Sequence, residues 1–307
     1  MLESKLEGAS VLVTGGAGFI GGHIAETLAD RADVAVLDDF STGTEGAVPS
    51  SVETFEADVR DADAVEDAVA GRDVVFHEAA IVDVAQSVET PRPCHDVNVD
   101  GTLNVLEAAR EHDARTVVAS SAAIYGAPTS TPIDESEPTD PASPYGIDKL
   151  AVDYYTRRYH DLYGLDTVAL RYFNAYGPGQ SAGDYSGVID VFFEQARAGE
   201  ALTVHGDGEQ TRDFVHVDDI VQANLLAATT DDVGEAYNVG TGTSVTITEL
   251  AEEVKATVGS DSSVVHTDPR DGDIRRSCAD IARARRKLGY EPTVSLGDGL
   301  STLAEDE

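Results

Sequence analysis

The sequence predicts an α/β fold: a doubly wound Rossmann parallel sheet with a smaller α/β C-terminal substrate lobe. Two observations predict it. Over about the first 175 residues, short and almost continuous apolar runs alternate with amphipathic stretches, as in strands covered on both faces by crossover helices. A glycine-rich turn, TGGAGFIGG, follows the first run and opens the first amphipathic stretch.

Strands are expected at 9–15 (ASVLVTG), 33–39 (DVAVLDD), 52–58 (VETFEAD), 73–79 (DVVFHEA), 114–121 (ARTVVASS) and 166–173 (DTVALRYF). Helices are expected between them: at 20–30, where Ile20, Ile24 and Leu28 recur every four residues, at 61–71 (DADAVEDAVAG) and at 98–113 (NVDGTLNVLEAAREHD). Right-handed crossovers would join the strands. SPYGIDKL, at 143–150, opens a further helix with Pro near its start. After residue 176 the texture changes to a glycine-rich loop, YGPGQSAGDYSG. The helix 188–198, a strand ALTVHG, the segment RDFVHVDDIVQANLLAA and a strand EAYNVGTG follow. The tail offers an amphipathic helix (ITELAEEVKATVG), a strand (SSVVHTD) and a basic helix (ADIARARRKLG). The expected division is residues 1–176 for a nucleotide-binding domain, with elements returning to it near 213–242, and 177–307 for an interleaved lobe.

The chain of 307 residues carries 57 acidic and 21 basic side chains, four of the latter lysines, for a net charge of −36. The acids are scattered. Self-repulsion of that size opposes compaction in dilute salt, whereas a Debye length of roughly 3 Å at 1 M salt removes most of it. The composition therefore reads as adaptation to a salty cytoplasm. It disfavours nucleic acid, whose phosphates need a basic footprint. No apolar run approaches the roughly 18 residues of a membrane span, and no basic segment with an apolar core opens the chain, so no membrane partner is expected. Cys94 and Cys278 stand alone, as in a reduced cytoplasmic protein. His77, His205 and His216 lack metal spacing and read as structural.

Gly15, Gly18 and Gly21 stand between the first strand and the first helix. Glycine there permits a tight turn and lets backbone N–H groups reach a pyrophosphate at the positive helix end. Asp38 ends the second strand, where a carboxylate accepts hydrogen bonds from an adenosine ribose and repels a 2′-phosphate. NAD rather than NADP follows. Asp39 and Ser41 are placed to help hold the ribose, and Asp58 with Val59 to flank the adenine.

Tyr145 and Lys149 lie one helical turn apart on one face. Alone, the pair reads as a packed phenol beside a solvated ammonium. Ser121, at the carboxyl end of the fifth strand where open α/β sheets bind ligands, changes that reading. Together with the NAD site the three form a proton-transfer device beside a hydride carrier. A tyrosine base working near pH 7 needs a shift of about three units from its usual 10, roughly 4 kcal/mol. The Lys149 ammonium and an oxidised nicotinamide are its expected cause.

Over nearly the whole chain, TGGAGFIG, Asp38, HEAA, NVDGTLNVLEAA, SSAAIYG, SPYGIDK, RYFNAYGP, RDFVHVDD, YNVGTG and RDGDIRRS resemble the extended short-chain dehydrogenase/reductases, specifically nucleotide-sugar epimerases related to UDP-glucose 4-epimerase. Glu78 departs from the pattern at a usually apolar position, with no functional loss expected. The resemblance implies that Tyr145 removes the sugar 4-OH proton, that Ser121 holds the sugar oxygen, and that Lys149 also holds the nicotinamide ribose. It implies that Phe19, Ile20, Ala79, Ala80, Asn98, Ser120 and Tyr172 line the cofactor. Asn174, Arg212 and Arg270 match positions on the nucleotide and its phosphates, Asp273 one on the uridine ribose, and Ser277 one near the sugar 2-substituent, where a small residue leaves room for an N-acetyl group. Related dehydratases carry an Asp-Glu pair after the serine or threonine position, and related decarboxylases keep the Glu; here stand Ala122 and Ala123. Epimerisation of UDP-glucose and UDP-galactose, with UDP-GlcNAc and UDP-GalNAc as further substrates, is the implied reaction. The alternatives are a UDP-glucuronate 4-epimerase, another NAD-dependent sugar-nucleotide oxidoreductase, or a non-catalytic NAD-sensing regulator. Helices 99–112 and 145–163 resemble the pair that forms a four-helix homodimer interface in this family.

Overall fold

The computed structural model describes residues 5–180, 187–270 and 272–305. Seven parallel strands form the central sheet: β1 (Ser10–Thr14), β2 (Asp33–Asp38), β3 (Glu53–Glu56), β4 (Val74–His77), β5 (Arg115–Ser121), β6 (Thr167–Tyr172) and β8 (Glu235–Val239). Their order is β8-β6-β5-β4-β1-β2-β3. The chain order therefore reverses between β1 and β4, and the strand ends there open a crevice.

Alternate residues of each strand feed two cores. On one face Val13, Val117 and Leu170 pack with α1 (Phe19–Leu28) and α8 (Val217–Ala227) through Ile24, Leu28, Ile220 and Leu225. On the other, Leu12, Val75 and Val118 meet Val65 of α2 (Ala62–Val69), Leu106 of α5 (Gly101–His112) and Val152 of α6 (Pro144–Tyr163). Nearly all are fully buried, which is why these strands read as unbroken apolar runs. A third core joins Phe192 and Phe193 of α7 (Val188–Ala198), Leu202 and Val204 of β7 (Leu202–His205), Leu250 and Val254 of α9 (Ile247–Val258), and Leu300.

The expected strands run up to three residues past the observed ends. Two helices stand where none was expected, α3 (Val84–Glu89) and α4 (Pro91–His95). Asp83 caps α3 by accepting from the Ala85 and Gln86 N–H groups, and Pro91 and Pro93, which look like breakers, open α4 where their missing N–H groups cost little. A π turn at Asp96–Asp100 links α4 to α5. Another unexpected helix follows in the tail, α10 (Leu296–Glu305). Its two glycines weaken the helical signal, but a Cβ at Gly299 would sit 2.2 Å from the Tyr176 hydroxyl, so close packing demands one of them. Ser295 accepts the Asp298 N–H and starts the helix. Of the glycine-rich loop at 176–187, residues 181–186 lie outside the described residues.

Candidate active site

The β1–α1 turn is a cradle that side chains would fill. Gly15 has φ +68°, and a Cβ there would lie 2.6 Å from the Ala79 nitrogen; one on Gly21 would lie 2.2 Å from the Gly15 carbonyl. Gly18 caps α1 with no side chain, so Phe19 and Ile20 open the helix with backbone N–H groups facing the turn. Asp38, 8% exposed, accepts from Ala17 N–H at 2.9 Å and Phe40 N–H at 2.8 Å. These bonds fix the carboxylate at the end of β2 beside the glycine turn. Asp39 accepts from the Ser41 N–H at 2.9 Å and shapes the next turn. The Asp58 carboxylate is gripped by Arg60, which holds it below its usual range, while buried Val59 packs where Gly101 leaves room for it. A backbone cradle, a fixed carboxylate and an apolar flank fit a dinucleotide.

Two residues expected to line the cofactor do something else with their side chains. Asn98 is buried and bonds both ways to the Ile81 backbone, accepting at 2.8 Å and donating at 3.0 Å. It braces the segment that carries Ala79 and Ala80. Ser120 alternates with Ser121 and points to the other face of the sheet, where its hydroxyl donates to Asp153 at 3.3 Å.

At the end of β5, Ser121 accepts from the Ala123 N–H at 3.1 Å and hydrogen-bonds the Tyr145 phenol. The start of α6 is held from two sides: Ser143 accepts the Gly146 N–H at 3.1 Å, and Ser87 of α3 accepts the Tyr145 N–H at 3.1 Å. Sequence reasoning missed Ser87, because the helix that presents it was not foreseen. Lys149 is 5% exposed, its Nζ 6.0 Å from the centre of the Tyr145 ring and 2.9 Å from the Ala119 carbonyl to which it donates. Burial pushes its ammonium down to about 8, with the Glu78 and Asp148 carboxyls pulling it back up.

The surroundings of the phenol act on it in opposite directions: burial raises the Tyr145 hydroxyl above its ordinary value, and among the described residues Ser121 pulls it down. Lys149, one of the two positive charges expected to lower it, donates to the Ala119 carbonyl. The histidine beneath the crevice is inert: burial first, then the Lys149 charge, lowers His77 to about 3, and its ring is held between Thr14 (2.7 Å) and Thr102 (2.9 Å).

On the side of the expected sugar nucleotide, Asn174 donates to the Asp213 carbonyl at 2.9 Å. Arg212 donates to the Ile274 carbonyl at 2.6 Å and is ion-paired with Asp273, so these two residues occupy one place. Ser277 is buried, its N–H on the Thr211 carbonyl at 3.1 Å. Arg270 is exposed. Asp213 was not singled out from sequence, yet its carboxylate gathers the N–H groups of Thr241, Gly242 and Ala279 (2.8, 3.1 and 3.0 Å) and pins three segments together.

A glycine-cradled nucleotide site at a sheet switch point, with Ser121, Tyr145 and Lys149 at its mouth, defines an extended short-chain dehydrogenase/reductase. The model of the NAD dependent epimerase/dehydratase family matches residues 11–240, and the chain belongs to that family; its cofactor is NAD. A putative UDP-glucose 4-epimerase of Methanocaldococcus jannaschii is 39% identical over 95% of this chain and 96% of its own. The UDP-glucose 4-epimerase of Thermotoga maritima, solved with UDP-glucose, superposes with a TM-score of 0.93 at 38% identity, over 97% of this chain and 98% of that one. A UDP-N-acetylglucosamine 4-epimerase from Methanobrevibacter ruminantium, solved with UDP-N-acetylmuramic acid, also reaches 0.93 at 35% identity, over 98% and 100% of the two chains. A UDP-N-acetyl-alpha-D-glucosaminuronate decarboxylase of Bacillus cytotoxicus is 33% identical over 94% of each chain, so the family spans several reactions.

Proposed function

We propose that the protein is an NAD-dependent 4-epimerase of a UDP-sugar, acting on UDP-glucose and UDP-galactose and, through the small residue at Ser277, on their N-acetylated counterparts. The observation that carries the reading is the convergence of Ser121, Tyr145 and Lys149 at one strand end, followed by alanines at 122 and 123. A dehydratase or decarboxylase needs a carboxylate there; oxidation and re-reduction at C4 would need, beside NAD as hydride acceptor, only the hydroxyl, the phenol and the ammonium.

Bound NAD supplies a reversible hydride acceptor and a positive charge. The chain's residues do the rest. Gly15, Gly18 and Gly21 admit the pyrophosphate, and Asp38 takes the ribose. Ser121 Oγ holds the sugar 4-oxygen, and the Tyr145 phenol, deprotonated under the combined positive charge, takes the 4-OH proton and later returns it. Lys149 keeps that oxygen anionic and orients the ribose. Asn174, Arg212 and Arg270 take the nucleotide and its diphosphate, as arginine forks suit phosphate oxygens. Asp273 takes the uridine ribose. For both to act, the Arg212–Asp273 pair must open toward the ligand.

The dimer reading is supported by α6, which leaves Ile147, Tyr154, Tyr155, Leu162 and Tyr163 41–68% exposed. A second copy packing the same helix would cover them, consistent with α5 and α6 as the contact pair. We place this dimer in a cytoplasm of molar salt, on the strength of the −36 charge. Among the described residues no helix is long and apolar enough to cross a membrane.

The test is incubation of the purified protein in high salt with UDP-glucose, UDP-GlcNAc and UDP-glucuronate, products resolved by NMR. Conversion of UDP-glucose to its 4-epimer is expected. Turnover confined to UDP-glucuronate, or water loss or decarboxylation, would overturn the reading.

A further inference from the structure

Glu78 sits just past β4, on the sheet face shared with Ser121 and Tyr172. Its Oε1 accepts from the Tyr172 hydroxyl at 2.8 Å, and that hydroxyl accepts from Asn224 Nδ2 at 2.8 Å. The directions of these bonds are forced. Asn224 is fully buried and gives its second amide proton to the Ile220 carbonyl at 3.0 Å; turning the amide over would set two oxygens against each other. The Tyr172 oxygen thus receives from Asn224 and gives its own proton to Glu78. This relay holds the Glu78 carboxyl in one place beneath the mouth of the site.

Lys149 is the cation beside it: β4 and β5 pair His77 with Val118, so Glu78 follows next to Ala119, whose carbonyl accepts from Lys149 Nζ at 2.9 Å. Among the described residues the groups around Glu78 are Lys149 from α6, Tyr172 from β6 and Asn224 from α8; its chain neighbour His77 is neutral and turned to the opposite face. Burial pushes the Glu78 carboxyl up to about 7, with Tyr172 and then Lys149 pulling it down. Of the two carboxyls acting on Lys149, Glu78 acts more strongly than Asp148. A buried ammonium that donates to a carbonyl needs a counter-charge to stay protonated.

We propose that Glu78 is a positioning residue for the proton-transfer pair: anchored by Tyr172 and Asn224, its carboxylate is the counter-charge that keeps buried Lys149 protonated while Tyr145 exchanges its proton. The role of Lys149 as partner of a working Tyr145 rests on the epimerase reading above; the charge relation between Glu78 and Lys149 does not. It also replaces the expectation that Glu78 is silent.

The chain has only four lysines, so the side-chain carbons next to nitrogen in lysine-labelled, NAD-loaded protein yield four NMR signals whose pH midpoints can be followed singly, Lys149 being assigned by its loss in Lys149→Met. Glu78→Gln keeps an acceptor for Tyr172 and removes the charge; Glu78→Leu removes both. The Lys149 midpoint is expected to fall by about one pH unit in each variant, tenfold in the proton equilibrium, and the alkaline limb of kcat/KM to fall with it. An unchanged Lys149 midpoint in Glu78→Gln overturns the proposal, whatever the activity. A lowered midpoint without 4-epimerase turnover in the parent protein supports the charge relation and overturns the epimerase reading instead.

Discussion

Asp153 offers the most direct measure of what holds the catalytic helix in place. It lies on α6 one turn beyond Lys149, with a fully buried side chain. Arg171 of β6 grips it at 2.7 and 3.0 Å, Arg157 at 2.9 and 2.8 Å, and Ser120 at 3.3 Å. Burial would raise this carboxyl, but hydrogen bonds and charge from Arg171, with help from Arg157, hold it below its ordinary value. Asp153→Ala leaves the Arg171 guanidinium buried without its anion, a loss in the range of about 3–5 kcal/mol. Arg171 keeps the Tyr125 hydroxyl at 2.8 Å and the Glu135 carbonyl at 3.1 Å, and Arg157 is 20% exposed and free to turn to water, so the lower end, about 3 kcal/mol, is expected. That is a fifth or more of the stability of an ordinary domain. Urea unfolding in molar potassium chloride measures it as a lower midpoint at unchanged slope. High salt does not mask the effect, because buried pairs are little screened. Since the folded carboxyl titrates below the unfolded one, its contribution is present above the unfolded value near 4 and is lost as pH falls through the folded one. The parent and the variant should therefore converge in acid. A loss under about 1 kcal/mol at neutral pH, or a gap that widens in acid, would refute the reasoning.

Four further outcomes are expected. Tyr145→Phe should lower kcat by at least about 100-fold while leaving the NAD content of the purified protein unchanged; turnover at the parent rate would remove the phenol from the mechanism. Gly15→Ala should yield protein without bound NAD, since the new Cβ meets the Ala79 backbone at 2.6 Å in a left-handed turn; absorbance of released nucleotide checks it. Thermal midpoints should climb with potassium chloride up to molar concentrations, because screening relieves the repulsion behind a net charge of −36; a flat curve contradicts the salt-adapted reading. Ser277→Tyr should abolish turnover of UDP-GlcNAc and spare UDP-glucose, as read from paired NMR assays.

What was legible in the sequence is what short-range chemistry determines. The inner strands announced themselves because both faces are buried, unlike the exposed edge strand β3, and the β1–α1 turn because only glycine fits it. Tyr145 and Lys149 share a helical face by spacing alone. Ser87 was hidden because two prolines masked the helices on either side of Thr90, and α10 because Gly299 answers to Tyr176, 123 positions earlier in the chain. The protonation states were the least legible. Nothing near Tyr145 in the chain says that burial raises its phenol, and nothing near Glu78 says that its partners stand at 172 and 224. A side chain's identity is local, whereas its charge is set by the whole fold, so the residues of this site could be listed from the sequence while the electrostatics that let them work could not.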